Sequence, residues 1–150
     1  LVYSLPKFRS QALRIRKGLA KYYISDLALR NAVMRLTDSL LDNHELLGLY
    51  AENLVFLTLR RSKNILQIDY YREKNNEVDF IVHTVSGKYL PIEVKYRNSI
   101  EKKYLSGIEY FRDKQEKTDF GLVITKHWSD SGEMFGNFAI PLPLYLVMTG

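Results

Sequence analysis

The sequence predicts a mixed α/β domain of the α+β kind, a mixed central sheet flanked by helices in the order α-β-β-β-α-β-β. Three observations carry that prediction. Residues 46–61, LLGLYAENLVFLTLRR, place Leu47, Tyr50, Leu54 and Leu57 on one helical stripe. Residues 65–96 then break into three short apolar-alternating runs separated by Asn- and Gly-containing turns. A second helical pattern and two apolar runs complete the chain. Mixed sheets packed by helices have this kind of order.

Each element has its own signal. LVYSLPKF at the start reads as a strand left from a preceding module. KYYISDLALRNAVMRL reads as a short extended piece followed by a helix capped by Ser25 or Asp26, whose side-chain oxygens suit the free amides of a first turn. DSLLDNHE is a loop or a frayed helix, and the helix of 46–61 follows it. Strands are expected at about 65–72, 77–84 and 88–96. KNN and VSG form the turns between them, with Asn and Gly supplying any positive φ that is needed. SIEKKYLSGIEYFRDKQEK is a helix with Ile100, Tyr104, Ile108 and Phe111 near helical spacing. DFGLVITKH is a buried strand, and GNFAIPLPLYLVM is a strand followed by a short turn or helix.

The composition narrows the classes. A chain of 150 residues is one domain able to bury a core, and 46% apolar with 26% charged residues suits a soluble globular protein. No apolar run approaches about 18 residues and no signal peptide is visible, so no membrane association is expected. The absence of cysteine excludes disulfides and thiolate metal sites and is compatible with the cytoplasm, the expected location. His44, His83 and His127 lack ligand spacing, which speaks against a zinc site. The chain begins at Leu1 rather than Met, which suggests a piece of a longer protein.

The net charge of +5 is unevenly spread. Residues 1–25 hold Lys7, Arg9, Arg14, Arg16, Lys17 and Lys21 with no acid, while the rest carries 16 bases against 17 acids. This basic segment is set apart from the domain proper, residues 26–150. A localised basic stripe attracts a phosphate backbone, which makes Arg14, Arg16 and Lys17 candidate DNA contacts; a solubilising or interdomain segment is the alternative. Lys102 and Lys103 are a second candidate pair, near the acids described next.

Those acids lie in NNEVDFIVHTVSGKYLPIEVKYR, residues 75–97. Side chains alternate along a strand. Val78, Phe80 and Val82 should share one face, with Glu77, Asp79 and Ile81 on the other. On the return strand Leu90, Ile92 and Val94 oppose Glu93 and Lys95. Matching the apolar faces places Asp79 across from Glu93, at a Cβ separation of roughly 4.5–5.5 Å. Like charges directly opposite destabilise a sheet, and a hard divalent cation offsets that repulsion by taking carboxylate oxygens. Lys95 shares the face and can position a water or act as a base. A solvated face of charge pairs, with Lys95 neutralising Glu93 or Asp79, is the alternative reading.

EVDFIV followed by IEVK, with the acid of AEN on the preceding helix, resembles the PD-(D/E)XK nuclease superfamily and its restriction-endonuclease-like fold. More narrowly, KYYISDLALRNAV, GLYAENLVFLTL, YYREKNNEVDFIV and LPIEVKYR resemble the C-terminal nuclease-like domain of archaeal and bacterial AAA+ ATPases, over roughly residues 20–140. The resemblance implies that Asp79 and Glu93 ligate Mg²⁺ or Mn²⁺, with the Val94 carbonyl as a third ligand. Lys95 would position the attacking water, and Glu52 would orient water or a second metal. Glu77 is a further candidate, and Gln115 is either the glutamine that related nucleases carry after Glu-x-Lys or a surface amide. No Pro precedes the strand Asp; Val78 stands there. The resemblance also implies an N-terminal ATPase module, and this chain has no G-x-x-x-x-G-K of its own.

Two functions from different classes follow. One is a divalent-metal-dependent nuclease that hydrolyses DNA phosphodiesters. The other is a nuclease-fold module that binds DNA or protein and regulates the ATPase without cutting. The 11 tyrosines and 7 phenylalanines leave a homo-oligomerisation domain as a third reading, although core packing accounts for most of them.

Overall fold

A computed structural model of the chain describes residues 2–9, 20–35 and 42–149. Arg14, Arg16 and Lys17 lie outside the described residues. The order begins with strand β1 (Val2–Leu5), strand β2 (Lys21–Ile24), helix α1 (Leu27–Met34) and helix α2 (His44–Leu59). Strands β3 (Ile65–Glu73), β4 (Asn76–Thr84) and β5 (Tyr89–Lys95) follow. A 3₁₀ turn (Lys102–Leu105) leads into helix α3 (Ser106–Lys114), and the chain closes with β6 (Leu122–Thr125), β7 (Gly132–Met134), β8 (Asn137–Pro141) and α4 (Leu142–Thr149).

The central sheet has the order β3-β4-β5-β6-β8-β7. Its β3-β4-β5 meander is antiparallel, β5, β6 and β8 run parallel, and β7 returns antiparallel to β8. The mixed α/β class and the predicted order hold from α2 onward. The three-residue β7 is an addition, too short for a period-2 pattern to show, and the short turn or helix expected after the last strand is the eight-residue α4. The 99–117 stretch is less helical than expected. A 3₁₀ turn precedes a nine-residue helix, and Leu105 rather than Tyr104 is buried, because the turn rotates the stripe.

Local chemistry explains the boundaries. Asp26 caps α1 by accepting from the Ala28 and Leu29 amides at 2.9 and 3.0 Å, and Asn43 caps α2 through the Leu46 amide at 3.0 Å. In the β4–β5 turn Gly87 takes φ +77°, as expected of glycine. In the β3–β4 turn the positive φ of 55° falls on Lys74, not on an asparagine. Gly107 is required by contact instead. A Cβ there would sit 1.9 Å from the Glu77 carbonyl oxygen, so α3 rests directly on the β4 backbone.

Two cores flank the sheet. Phe80, Val82, Ile92 and Ile124 pack with Leu5, Tyr23, Val55, Phe56 and Tyr145 on the α2 and α4 side. Val78, Ile81 and Val123 pack with Leu105, Ile108, Phe111 and Phe8 on the α3 side. The described parts of residues 1–25 therefore contribute Leu5, Phe8 and Tyr23 to these cores. β1 pairs with β2, and the 6–8 stretch lies along the outer strand β3, where the Phe8 amide donates to the Tyr70 carbonyl at 2.7 Å and the Tyr70 amide donates to the Pro6 carbonyl at 2.9 Å.

The grouping of Val78 with Ile81 corrects the simple alternation expected of β4. Asp69 pairs with Ile81 but Tyr71 pairs with Val78, so β4 has one more residue than β3 across that interval. This β-bulge at Asp79 and Phe80 breaks the period of two. Val78 stays on the α3 side while Asp79 is re-aimed toward β2 and α2.

Candidate functional site

The predicted β4–β5 register holds: Phe80 pairs with Ile92, Ile81 with Pro91 and Val82 with Leu90. The backbone ladder ends one step short of Asp79 and Glu93, where side chains take over its hydrogen bonds. The Asp79 amide donates to Glu93 Oε2 at 3.2 Å, and the Val94 amide donates to Asp79 Oδ2 at 3.0 Å. The two acids thus wedge the strands apart. Asp79 is 8% exposed and Glu93 5%. Val94, expected to offer its carbonyl, contributes its N–H to this arrangement.

Lys95 Nζ pairs with Glu93 Oε1. Burial raises the Glu93 carboxyl well above the ordinary value, Asp79 adds to the rise, and Lys95 opposes it. Glu52 projects from α2 toward the same fork. Its carboxyl is also raised, first by burial and then by Asp79, against the pull of Lys21 and Tyr23.

Lys21 completes the cluster, and sequence reasoning placed it only within the basic stripe. Its Nζ lies 3.0 Å from Asp79 Oδ1, 3.0 Å from Glu77 Oε1 and 3.3 Å from Glu52 Oε1. Tyr23, two residues on along β2, donates from its hydroxyl to Glu52 at 2.6 Å. The alternation of the extended KYYI piece was the available signal, since it puts Lys21 and Tyr23 on one face. Glu77 is part of the site: besides Lys21, its other oxygen accepts from Arg72 Nε at 2.9 Å and Nη2 at 2.5 Å. Burial pushes the Glu77 carboxyl up, but Arg72 and Lys21 outweigh it and hold it below the ordinary value.

A cleft of ≈ 590 Å³ opens over the fork, lined among others by His44, Glu52, Asp79, Lys95, Arg97 and Tyr104. The Arg97 guanidinium stacks on the Tyr104 ring at 4.4 Å. His44, Arg97 and Tyr104 carried no motif that singled them out. Lys102 and Lys103 stand in the 3₁₀ turn beside Tyr104, exposed and paired with Glu109 at 3.5 Å and Glu101 at 2.8 Å. Gln115 is the residue that ends α3 and does not line the cleft.

The donor set as arranged does not fit Mg²⁺ or Mn²⁺. All four carboxylate oxygens of Asp79 and Glu93 are engaged by Lys21, Lys95 or a backbone amide. A magnesium ion needs oxygens at about 2.0–2.1 Å. The acids instead surround the Lys21 ammonium at 3.0–3.3 Å. Among the described residues no group of three or more His, Cys, Asp or Glu side chains is set to hold a metal ion.

A family model described as "Domain of unknown function (DUF4143)" matches residues 47–145. Neither a curated protein nor a solved structure matches the chain.

Proposed function

The chain belongs to the DUF4143 family, and from that premise we propose that it is a phosphodiester-directed domain of the nuclease type, binding DNA in the cleft and hydrolysing its backbone beside an ATPase module. The observation that supports this reading is the convergence of Asp79, Glu93 and Lys95 where β4 and β5 diverge, under a cleft that also presents Arg97 and Tyr104. Arg97 offers a planar donor fork to a phosphate, and Tyr104 offers a ring face to a base or sugar. Lys95 borders the cleft and supplies positive charge where negative charge gathers during phosphodiester attack. Glu93 behind it has a raised carboxyl, which suits a group that exchanges protons near neutral pH.

The test is incubation of the purified protein with duplex, single-stranded and branched DNA in Mg²⁺ or Mn²⁺. Cleavage by the wild type is expected, with loss in Asp79→Asn and retention of low-salt DNA affinity. No cleavage of any of the three, by the chain alone or joined to its ATPase module, overturns the hydrolytic reading. The second reading, a module that binds and does not cut, is favoured by one observation: the acids of the site already hold the ammonium of Lys21.

A further inference from the structure

Asp79, which the resemblance makes a metal ligand, is held by an amine together with Glu52 and Glu77. Carboxylates from α2 (Glu52) and from β4 (Glu77 and Asp79) meet at Lys21 Nζ, all within 3.3 Å. The strand that delivers this amine is fixed in place. Asn53, buried on α2 next to Glu52, accepts from the Ile24 amide and donates to the Ile24 carbonyl, each at 2.9 Å. It thereby reads β2 as a neighbouring strand would. Tyr23 enters the core between Phe56 and Phe80 while its hydroxyl holds Glu52. Lys21 is therefore aimed by the backbone of β2, and its side chain is only 22% exposed.

We infer that Lys21 is the resident cation of this site, holding the place of a divalent cation, so that a metal ion enters only in exchange for it. The inference rests on the nuclease-type reading of the acids. Three carboxylates this close repel one another in a half-buried setting unless a cation joins them. An ammonium tethered to β2 does so without the entropy cost of capturing a free ion. It cannot share the centre with a metal, because an ammonium is held by hydrogen bonds near 3 Å and a hard cation draws the same oxygens to about 2.0–2.1 Å. With Asp79, Glu77 and Glu52 at 3.0–3.3 Å, the amine is a cation competing for the same oxygens. If Lys21 fills the pocket for more than about nine-tenths of the time, the apparent affinity for metal falls at least about tenfold.

The experiment measures Mn²⁺ binding by electron paramagnetic resonance for the wild type, Lys21→Met and Lys21→Arg. Lys21→Met is expected to bind at least about tenfold more tightly than wild type. Lys21→Arg should stay with the wild type, and adding Asp79→Asn to Lys21→Met should abolish the gain. Equal affinity of wild type and Lys21→Met, or a Lys21→Met that is folded by circular dichroism yet binds no Mn²⁺, overturns the inference. If Lys21→Met does not fold, acylation of the Lys21 amine in the wild type, read by mass spectrometry, decides. Its rate should rise over the Mn²⁺ concentrations that raise Tm. A Tm that rises while Lys21 labelling stays unchanged overturns the exchange. DNA cleavage is not a readout here, so a protein that exchanges Lys21 for metal without cutting DNA sinks only the hydrolytic reading. One that cuts DNA while Lys21 stays in place sinks only the exchange.

Discussion

Lys95 is the residue whose removal separates electrostatics from packing. It pairs with Glu93, and both side chains are largely buried, at 17% and 6% exposure. The core side of β5 is held by Ile92 with Leu90 and Val94. Lys95→Ala leaves that packing in place and takes away the one group that lowers the Glu93 carboxyl through both charge and a side-chain bond. Two outcomes are expected. The Glu93 titration, followed by NMR, should move to still higher pH, and cleavage should fall by roughly 10² or more, the scale of losing a positioned charged group. An unchanged Glu93 midpoint would remove Lys95 from the electrostatics of the site.

At the scale of elements, three devices position the acids. The β4 bulge turns Asp79 toward β2, the Asn53 clamp sets β2 on α2, and the α3–β4 contact at Gly107 supports the strand at Glu77. The last is the simplest to test. A methyl group at 107 meets a backbone carbonyl at 1.9 Å, which no rotamer change relieves. Gly107→Ala should therefore destabilise by about 1–3 kcal/mol or more, as overpacking does. At about 2–4 °C per kcal/mol for a chain of this size, calorimetry should show a Tm loss of several degrees. A Tm within a degree of wild type would mean that α3 is free to step off β4. The displacement should also disturb Glu77, which Lys21 and Arg72 hold from the other side.

For the whole molecule, the buried acids set a pH dependence. Glu93 and Glu52 have raised carboxyls, so the folded state binds their protons more tightly than the unfolded chain does. Their contribution is fully present below the unfolded value of about 4.3 and is lost as pH rises through the folded value. Glu77 runs the other way: its contribution is present above the unfolded value and lost as pH falls through its lowered folded value. Urea unfolding of wild type and Glu93→Gln at a series of pH values isolates one group. The wild type should lose about 1.4 kcal/mol relative to the glutamine variant for each pH unit crossed while the folded carboxyl still holds its proton. A difference that stays flat from about pH 5 to pH 8 would show that Glu93 titrates alike in both states.

The sequence by itself determined the order of elements from α2 onward, the β4–β5 register and the nearness of Asp79, Glu93 and Lys95. These depend on backbone periodicity and on a short turn, and both act over a few residues. Tertiary structure decided the rest. The bulge at Asp79 and Phe80 exists because β4 must satisfy β3 on one edge and β5 on the other, and a count of alternating residues along β4 alone cannot register that mismatch. The Lys21–Asp79 contact spans 58 residues and depends on β2 being docked through Asn53 and Tyr23. In the sequence Lys21 is one more base in a basic segment. Packing makes it the cation at the centre of three carboxylates, because a charge carried into a half-buried space is stable only where opposite charges have been brought to meet it.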